Sequence, residues 1–257
     1  MFRGRITCAL CFLLLLSCGA KKPSEAVRYN LEVVAEYPHS RTSYTQGLFF
    51  DNGILYESTG QNGESRFGIL DMQSGELDTK VELDAKYFGE GSVFFGGRLY
   101  YLTWRGLVAF TYDCETFAPD GRVVCPREGW GLTTDGKSLI MSDGSSSIWF
   151  MDENFRTRRR ISVKNGGKAV SYLNELEWIE GKIWANVYTS DHIVIINPET
   201  GEVEGVVNCK GLLDNELKDA HTDVLNGIAY DPETKRIFLT GKNWPRMFEV
   251  RLVPVTK

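Results

Sequence analysis

The feature that most constrains this chain is a hairpin-like segment that returns five times. It reads GLFFDNGILYEST from Gly47, GSVFFGGRLYYLTW from Gly91, GLTTDGKSLIMSD from Gly131, ELEWIEGKIWANVY from Glu175 and GIAYDPETKRIFLTG from Gly227. Each copy is a strand-like run, a turn built on Gly, Asp or Asn, and a second run, the pattern of an antiparallel hairpin. The starts lie 44, 40, 44 and 52 residues apart, the length of one four-stranded propeller blade. Further strand pairs such as RFGILDMQSGELDTKVEL and HIVIINPETGEVEGVVNC fill the intervals. After the fifth copy only MFEVRLVPVT remains, one strand short, while NLEVVAEYP stands unassigned near the start. The expectation is an all-β fold, a five-bladed β-propeller closed by an N-terminal strand that removes the open edge. A large β-sandwich would explain the alternation but not five copies in register.

The chain before that strand reads as an address. Arg3 and Arg5 precede the apolar run Cys8 to Leu16, which ends at Leu15-Leu16-Ser17-Cys18-Gly19. The run is too short to span a bilayer but suits a signal peptide, and its ending resembles a bacterial lipobox. A plain secretory signal that happens to hold a Cys is the other reading. The expected division is a lipoprotein signal at 1–17, a lipidated polar tether at 18–28 carrying lipid on Cys18, and the propeller at 29–257. The protein is then exported and membrane-anchored, on the periplasmic or cell-surface side, and a monomer is expected. With 257 residues, 42% apolar and 25% charged, a sizeable core is available. The net charge of −5, with no basic run longer than Arg158-Arg159-Arg160, excludes the electrostatic footprint of a nucleic-acid binder. Cys114 and Cys125 flank an Ala-Pro-Asp-Gly turn and could bridge neighbouring strands, leaving Cys209 unpaired. No Cys or His has zinc-ligand spacing.

Alignment of the copies exposes two registers at one end of the hairpins. The residues just ahead of the first strands are Gln46, Glu90, Trp130, Asn174 and Asn226, a polar ring around one mouth. Within the second strands Glu57 stands against Tyr101, Met141, Ala185 and Leu239, so the fold does not demand a charge there. Three residues later Gly60, Trp104, Gly144, Tyr188 and Lys242 share the strand exits. The reading is that Glu57 faces a pocket with Lys242, Asn174 and Gln46 as polar companions and Trp104 and Tyr188 as walls; otherwise Glu57 is a structural carboxylate. Glu175 and Glu177 are rivals or anchors between blades. Glu90 with Gln46, Asn174 and Asn226 could cap an axial cation, a weak oxygen set. His39, His192 and His221 lie outside both registers and suit loop or inter-blade roles, and no GxSxG or HExxH motif supports serine or zinc hydrolysis.

The segments YTQGL, LYESTG, YFGEG, GWGLTTDG, LNELEW, WAN, VLNGIAYD, KRIFLTGK and WPRMFEV, spread in order over residues 29 to 252, resemble the plant-type and bacterial glutaminyl cyclases, the papaya-like glutaminyl-peptide cyclotransferases. The resemblance implies conversion of N-terminal Gln of peptides or proteins to pyroglutamate with release of ammonia, without a metal or other cofactor. It implies Glu57 as catalytic acid, with Lys242 and Asn174 beside it, Gln46 in substrate binding, and Tyr44, Trp104 and Tyr188 as aromatic wall. Tyr44 stands where Phe is common and Tyr188 where Trp is common. The cyclisation needs an acceptor for the α-amine proton, donors to an oxyanion and an acid for the leaving ammonia. Its nucleophile belongs to the substrate, so it requires no Ser or Cys. A non-catalytic platform gripping exported peptides or glycans is the alternative, and a sugar or lactone hydrolase would need an axial metal or a second acid in the mouth.

Overall fold

The hairpin copies become the inner two strands of successive antiparallel sheets. The computed structural model describes residues 25–256, so the signal segment and Cys18 lie outside the described residues. Strand β1 (Val27–Pro38) comes first, and it begins two residues before the expected start of the propeller at 29. The first sheet holds β2 (Thr45–Asp51), β3 (Ile54–Thr59), β4 (Arg66–Leu70) and β5 (Leu77–Glu82). The second holds β6 (Gly89–Phe95), β7 (Arg98–Thr103), β8 (Val108–Asp113) and β9 (Pro119–Val124), and the third β10 (Leu132–Thr134), β11 (Leu139–Ser142), β12 (Ser147–Met151) and β13 (Thr157–Ser162). A two-stranded ribbon, β14 (Lys164–Asn165) with β15 (Lys168–Ala169), follows.

The remaining strands form one eight-stranded sheet: β16 (Leu173–Ile179), β17 (Lys182–Val187), β18 (His192–Ile196), β19 (Val203–Asn208), β1, β22 (Arg246–Pro254), β21 (Arg236–Gly241) and β20 (Leu225–Asp231), in that order. It is two four-stranded halves joined by a short parallel pairing of Val27–Tyr29 with Gly205–Val207. Between its halves, segment 209–224 carries only a short 3-10 turn, Asn215–Leu217, and absorbs the longest spacing in the sequence. As expected, the N-terminal strand completes the last group, with β1 antiparallel to β22 from Tyr29↔Pro254 to Pro38↔Arg246.

Turn chemistry follows the sequence at the first hairpin. Asn52 and Gly53 both take positive φ, 48° and 75°, the conformation a two-residue hairpin turn needs. The alternate faces of the strands fill the gaps between neighbouring sheets. Leu99 and Tyr101 pack against Phe49 and Phe67, Leu102 against Leu132 and Met141, Ile140 and Ile161 against Leu176 and Ile183, and Trp184 and Ile193 against Ile228 and Phe248. A further cluster joins Leu48 and Leu55 of the first sheet to Ala229, Phe238 and Met247 of the last group. The succession of apolar interfaces therefore returns to its start. Each such side chain contributes roughly 1.5–3 kcal/mol on burial.

The suggested Cys114–Cys125 bridge does not form; both thiols and Cys209 are free. The pairing of β8 with β9 runs from Tyr112↔Pro119 to Val108↔Val124, so the two Cys lie beyond opposite ends of one hairpin. That separation is roughly 15 Å of strand, against a Cα limit of about 7 Å for a disulfide. Cys125 is buried against Met141 instead, Sγ to Sδ 3.8 Å.

Candidate active site

The inner strands β2, β6, β16 and β20 all break their pairing register just after they start. The breaks fall between Thr45 and Gly47, Gly89 and Ser92, Leu173 and Leu176, and Leu225 and Ile228. A bulge adds a residue on one strand and re-aims its side chain. The residues so displaced include Gln46, Glu90, Asn174 and Asn226, four of the five members of the polar register. Gln46, Glu90 and Asn174 face one cavity of about 190 Å³, whose lining is completed by Tyr44, Phe88, Trp104, Trp130, Tyr188 and Lys242. The second register supplies Trp104, Tyr188 and Lys242 from the ends of β7, β17 and β21. Its two glycines have a separate reason. A Cβ on Gly60 would lie 2.4 Å from Phe88 Cε1, and one on Gly144 2.6 Å from Trp130 Cζ2, so both make room for a wall ring.

The walls are fixed at their polar tips. Trp104 Nε1 donates to Glu128 Oε2 at 2.9 Å and Trp130 Nε1 reaches the same oxygen at 3.4 Å, while Arg105 stacks 3.9 Å over Trp104. Tyr44 O–H donates to Asp223 Oδ2 at 2.7 Å; burial and this carboxylate raise its pKa. Phe88 meets Tyr44 and Trp104 edge to face, and Trp130 meets Tyr188 likewise. Lys242 Nζ lies between two rings, 4.7 Å from the centroid of Tyr44 and 5.2 Å from that of Tyr188, an arrangement in which the ring faces attract the cation.

Glu90 and Lys242 give the cavity its chemistry. Glu90 is 5% exposed, and among the described residues no donor bonds its carboxyl. Burial lifts its pKa well above the usual carboxylate range; the Lys242 ammonium offsets part of this and the Glu128 carboxylate adds to it. Burial also lowers the pKa of Lys242, against the pull of Glu90 and Asp223. A carboxyl and an ammonium are thus both held toward their neutral forms in one space, the condition that suits groups for moving protons near neutral pH. Asn174 Oδ1 is buried without a partner, an acceptor left open for a bound molecule. Gln46 Oε1 accepts from Asn226 Nδ2 at 3.2 Å, which leaves its amide nitrogen as the group it can offer. Among the described residues no group of three His, Cys, Asp or Glu side chains is arranged to hold a metal ion.

The structure therefore brings together Gln46, Tyr44, Trp104, Tyr188, Asn174 and Lys242, and it corrects Glu57. That carboxylate is fully buried but does not line the cavity. It accepts from Thr45 Oγ1 at 2.6 Å and Ser43 Oγ at 3.0 Å and meets His39 Nε2 at 3.1 Å. The other ring nitrogen, His39 Nδ1, donates to the Trp244 carbonyl at 2.7 Å. Burial disfavours charge on both partners, yet their mutual attraction outweighs it: His39 is raised and Glu57 lowered, with the two hydroxyls also favouring the carboxylate. Every acceptor site of consequence on Glu57 is occupied by the protein, so it is the satisfied acid and Glu90 the open one.

Glu175 and Glu177 are anchors between neighbouring sheets. Glu175 accepts from the backbone N–H of Ile228 at 2.9 Å and of Leu48 at 3.4 Å, and Glu177 from Tyr230 at 3.0 Å. Burial pushes Glu177 up to about 8. Sequence reasoning did not assign Phe88 or Trp130 to the wall and gave Glu90 only as part of a cation cap. The signal for Glu90 was available: it is the one acid in the register that supplies Gln46 and Asn174.

Residues 7–252 match the glutamine cyclotransferase family. A glutaminyl-peptide cyclotransferase of Arabidopsis thaliana is 40% identical over 231 residues, which cover 86% of this chain and 71% of that protein. The crystal structure of a glutaminyl cyclase from Myxococcus xanthus superposes with a TM-score of 0.82 at 35% identity, over 90% of this chain and all of that one. A chain of a mitotic checkpoint complex, 14% identical with a TM-score of 0.55 over 95% of this chain and 98% of its own, shares the fold alone.

Proposed function

Because the chain belongs to the glutamine cyclotransferase family, we propose that it converts the N-terminal Gln of peptides or proteins to pyroglutamate and releases ammonia, by metal-independent acid/base chemistry in the aromatic-walled cavity. Glu90 is the proton carrier in this reading. The observation that carries it is that the Glu90 carboxyl, buried and without a protein donor, shares one cavity with the buried Lys242 ammonium.

The Gln side chain lies among the rings, bent so that its own α-amine faces its amide carbon. Holding that geometry removes much of the entropic barrier to ring closure. The neutral amine attacks the amide carbon, a C–N bond forms, and the carbonyl electrons move to oxygen. Lys242 opposes the charge on that oxygen, with the Asn174 and Gln46 amides as further donors. Glu90, ionised, takes the proton from the attacking nitrogen and delivers it to the departing one. The old C–N bond breaks, ammonia leaves and the lactam remains, with Glu90 returned to its starting form. A carboxyl whose pKa is already raised holds the proton it takes more readily than an ordinary one.

The same reading takes the closed succession of sheets as a five-bladed propeller, β1 completing the fifth blade. In support, each inner hairpin packs on the next and the last packs on the first. Export of a monomer anchored by lipid on Cys18 rests on the basic and apolar N-terminus and the Leu-Ser-Cys-Gly ending; loss of acyl label in Cys18→Ala would test it. The reaction is tested by ammonia release from a Gln-initiated dipeptide, with and without a strong chelator. Chelator-resistant ammonia matched by pyroglutamyl product, lost in Glu90→Gln, is expected. Peptide binding without ammonia would refute it.

A further inference from the structure

We propose that the buried His39–Glu57 pair is a positioning unit of the cavity, holding Tyr44 and Lys242 in register across the seam where the two ends of the chain meet. The inference rests on the cyclase reading for its kinetic consequence, though its structural part stands apart. Tyr44 lies between Ser43 and Thr45, and both of their hydroxyls donate to Glu57. Lys242 is followed by Asn243, whose N–H donates to Ser43 O at 2.8 Å, and by Trp244, whose carbonyl accepts from His39. His39 N–H adds a bond to Pro245 O at 3.1 Å. Segments 43–45 and 243–245 are thus tied to the same Glu57–His39 pair, and Tyr44 in the first and Lys242, just ahead of the second, face each other at 4.7 Å. A third tie reaches Gln46, because Asn226 Nδ2 donates both to Thr45 O at 2.9 Å and to the Gln46 side chain.

The distribution of side chains argues against a general stabilising role. In the paired register of the inner hairpins, Glu57 opposite Leu48 corresponds to Tyr101, Met141, Ala185 and Leu239, which are all fully buried. Four hairpins fill this position without a charge. The carboxylate occurs where the first sheet meets the last, and that interface supplies Tyr44 and Lys242. Glutamine keeps the shape but removes the charge: with one acceptor oxygen in place of two, the hydroxyls of Ser43 and Thr45 and the His39 imidazole cannot all keep their present bonds, and the attraction to a protonated His39 is lost.

The test compares Glu57→Gln with Ile140→Ala, a core truncation in the third sheet, by steady-state kinetics on a Gln-initiated peptide, thermal melting, and the NMR position of the Lys242 ε-methylene protons, assigned by difference with Lys242→Arg. The double variant Ser43→Ala/Thr45→Val keeps the pair but cuts its ties to Tyr44, and it serves if Glu57→Gln does not fold. The expected result is a kcat at least tenfold lower, falling by more than KM rises, and loss of the ring-current displacement at Lys242, while Ile140→Ala lowers Tm and keeps both kcat and the displacement. Unchanged kcat and ring-current displacement in the seam variants, or a kcat that follows Tm in Ile140→Ala as well, would overturn the proposal. A wild type that releases no ammonia, with a Lys242 signal that still collapses to its free position in Glu57→Gln, would end the cyclase reading and leave the positioning role supported.

Discussion

Replacing Glu90 by Gln is expected to move activity and stability in opposite directions. Removal of a proton carrier costs 10²–10⁴-fold in rate, about 3–5 kcal/mol of barrier. The stability effect follows from the raised pKa of Glu90 in the fold, which burial causes. Unfolded, the carboxyl titrates near ~4.3. Between that value and the higher folded one, the native state holds a proton that the unfolded state has released. Stability contributed by Glu90 is therefore fully present below the unfolded pKa and is lost as pH rises toward the folded pKa. Gln has no proton to lose, so the variant escapes this decline. A tenfold weaker acidity in the fold corresponds to about 1.4 kcal/mol, and for a chain of this size each kcal/mol moves Tm by roughly 2–4 °C. Calorimetric melting from pH 4 to pH 8 should give a Tm difference near zero at the acid end. At the alkaline end the variant should gain about 3–6 °C for each tenfold by which the fold weakens the acid, alongside the collapse of ammonia release. A variant within tenfold of wild-type kcat, or a Tm difference flat or negative across the range, would refute the assignment of Glu90 as a buried, unpaired proton carrier.

The pH profile of kcat/KM should be bell-shaped. Its acid limb follows ionisation of Glu90 and of the substrate α-amine, near ~8, and its basic limb lies below the ordinary lysine range because burial lowers Lys242; a rate still climbing at about pH 10.5 would remove the role of the ammonium. Gly60→Ala should raise KM about tenfold with little change in Tm, since its Cβ would strike the Phe88 ring at 2.4 Å; an unchanged KM would mean that Phe88 does not contact the substrate. Reducing agent should leave Tm unaltered, because Cys114, Cys125 and Cys209 are free; a fall on reduction would reveal a bridge.

Legibility in the sequence varied with the range of the interaction. The repeated hairpins and the completing strand β1 were readable because strand alternation and turn residues are local. The mouth was readable because equivalent positions in a repeat share a place in space, which identified Gln46, Asn174, Trp104, Tyr188 and Lys242. Glu57 was misjudged because comparison of copies detects an odd residue but not the direction in which it points. Its partner His39 lies in the loop after β1, and no pattern within the hairpins announces that contact. Glu90 was undervalued for a related reason. Its orientation depends on a bulge in β6 between Gly89 and Ser92, and a bulge leaves simple alternation without a mark. Phe88 and Trp130 were missed because the space they occupy is created by distant glycines, Gly60 on the neighbouring sheet and Gly144 at the far end of Trp130's own hairpin.

The meeting of the chain ends has a consequence for the order of synthesis. Tyr37 bonds Glu249 across 212 positions, and His39 bonds the Trp244 carbonyl across 205. During elongation the early segment leaves the ribosome long before these partners exist, so the edge of β1 that takes β22 stays open until residues 246–254 arrive, and before residues 205–207 are made β1 has neither neighbour. Contacts this distant are slow to form and leave intermediates prone to association. A nascent chain stopped before Lys242 can hold every complete inner hairpin of the first four copies and still have no ammonium facing Tyr44. In the proposed mechanism turnover therefore reports a nearly complete chain, because the group that faces Tyr44 is made late in synthesis.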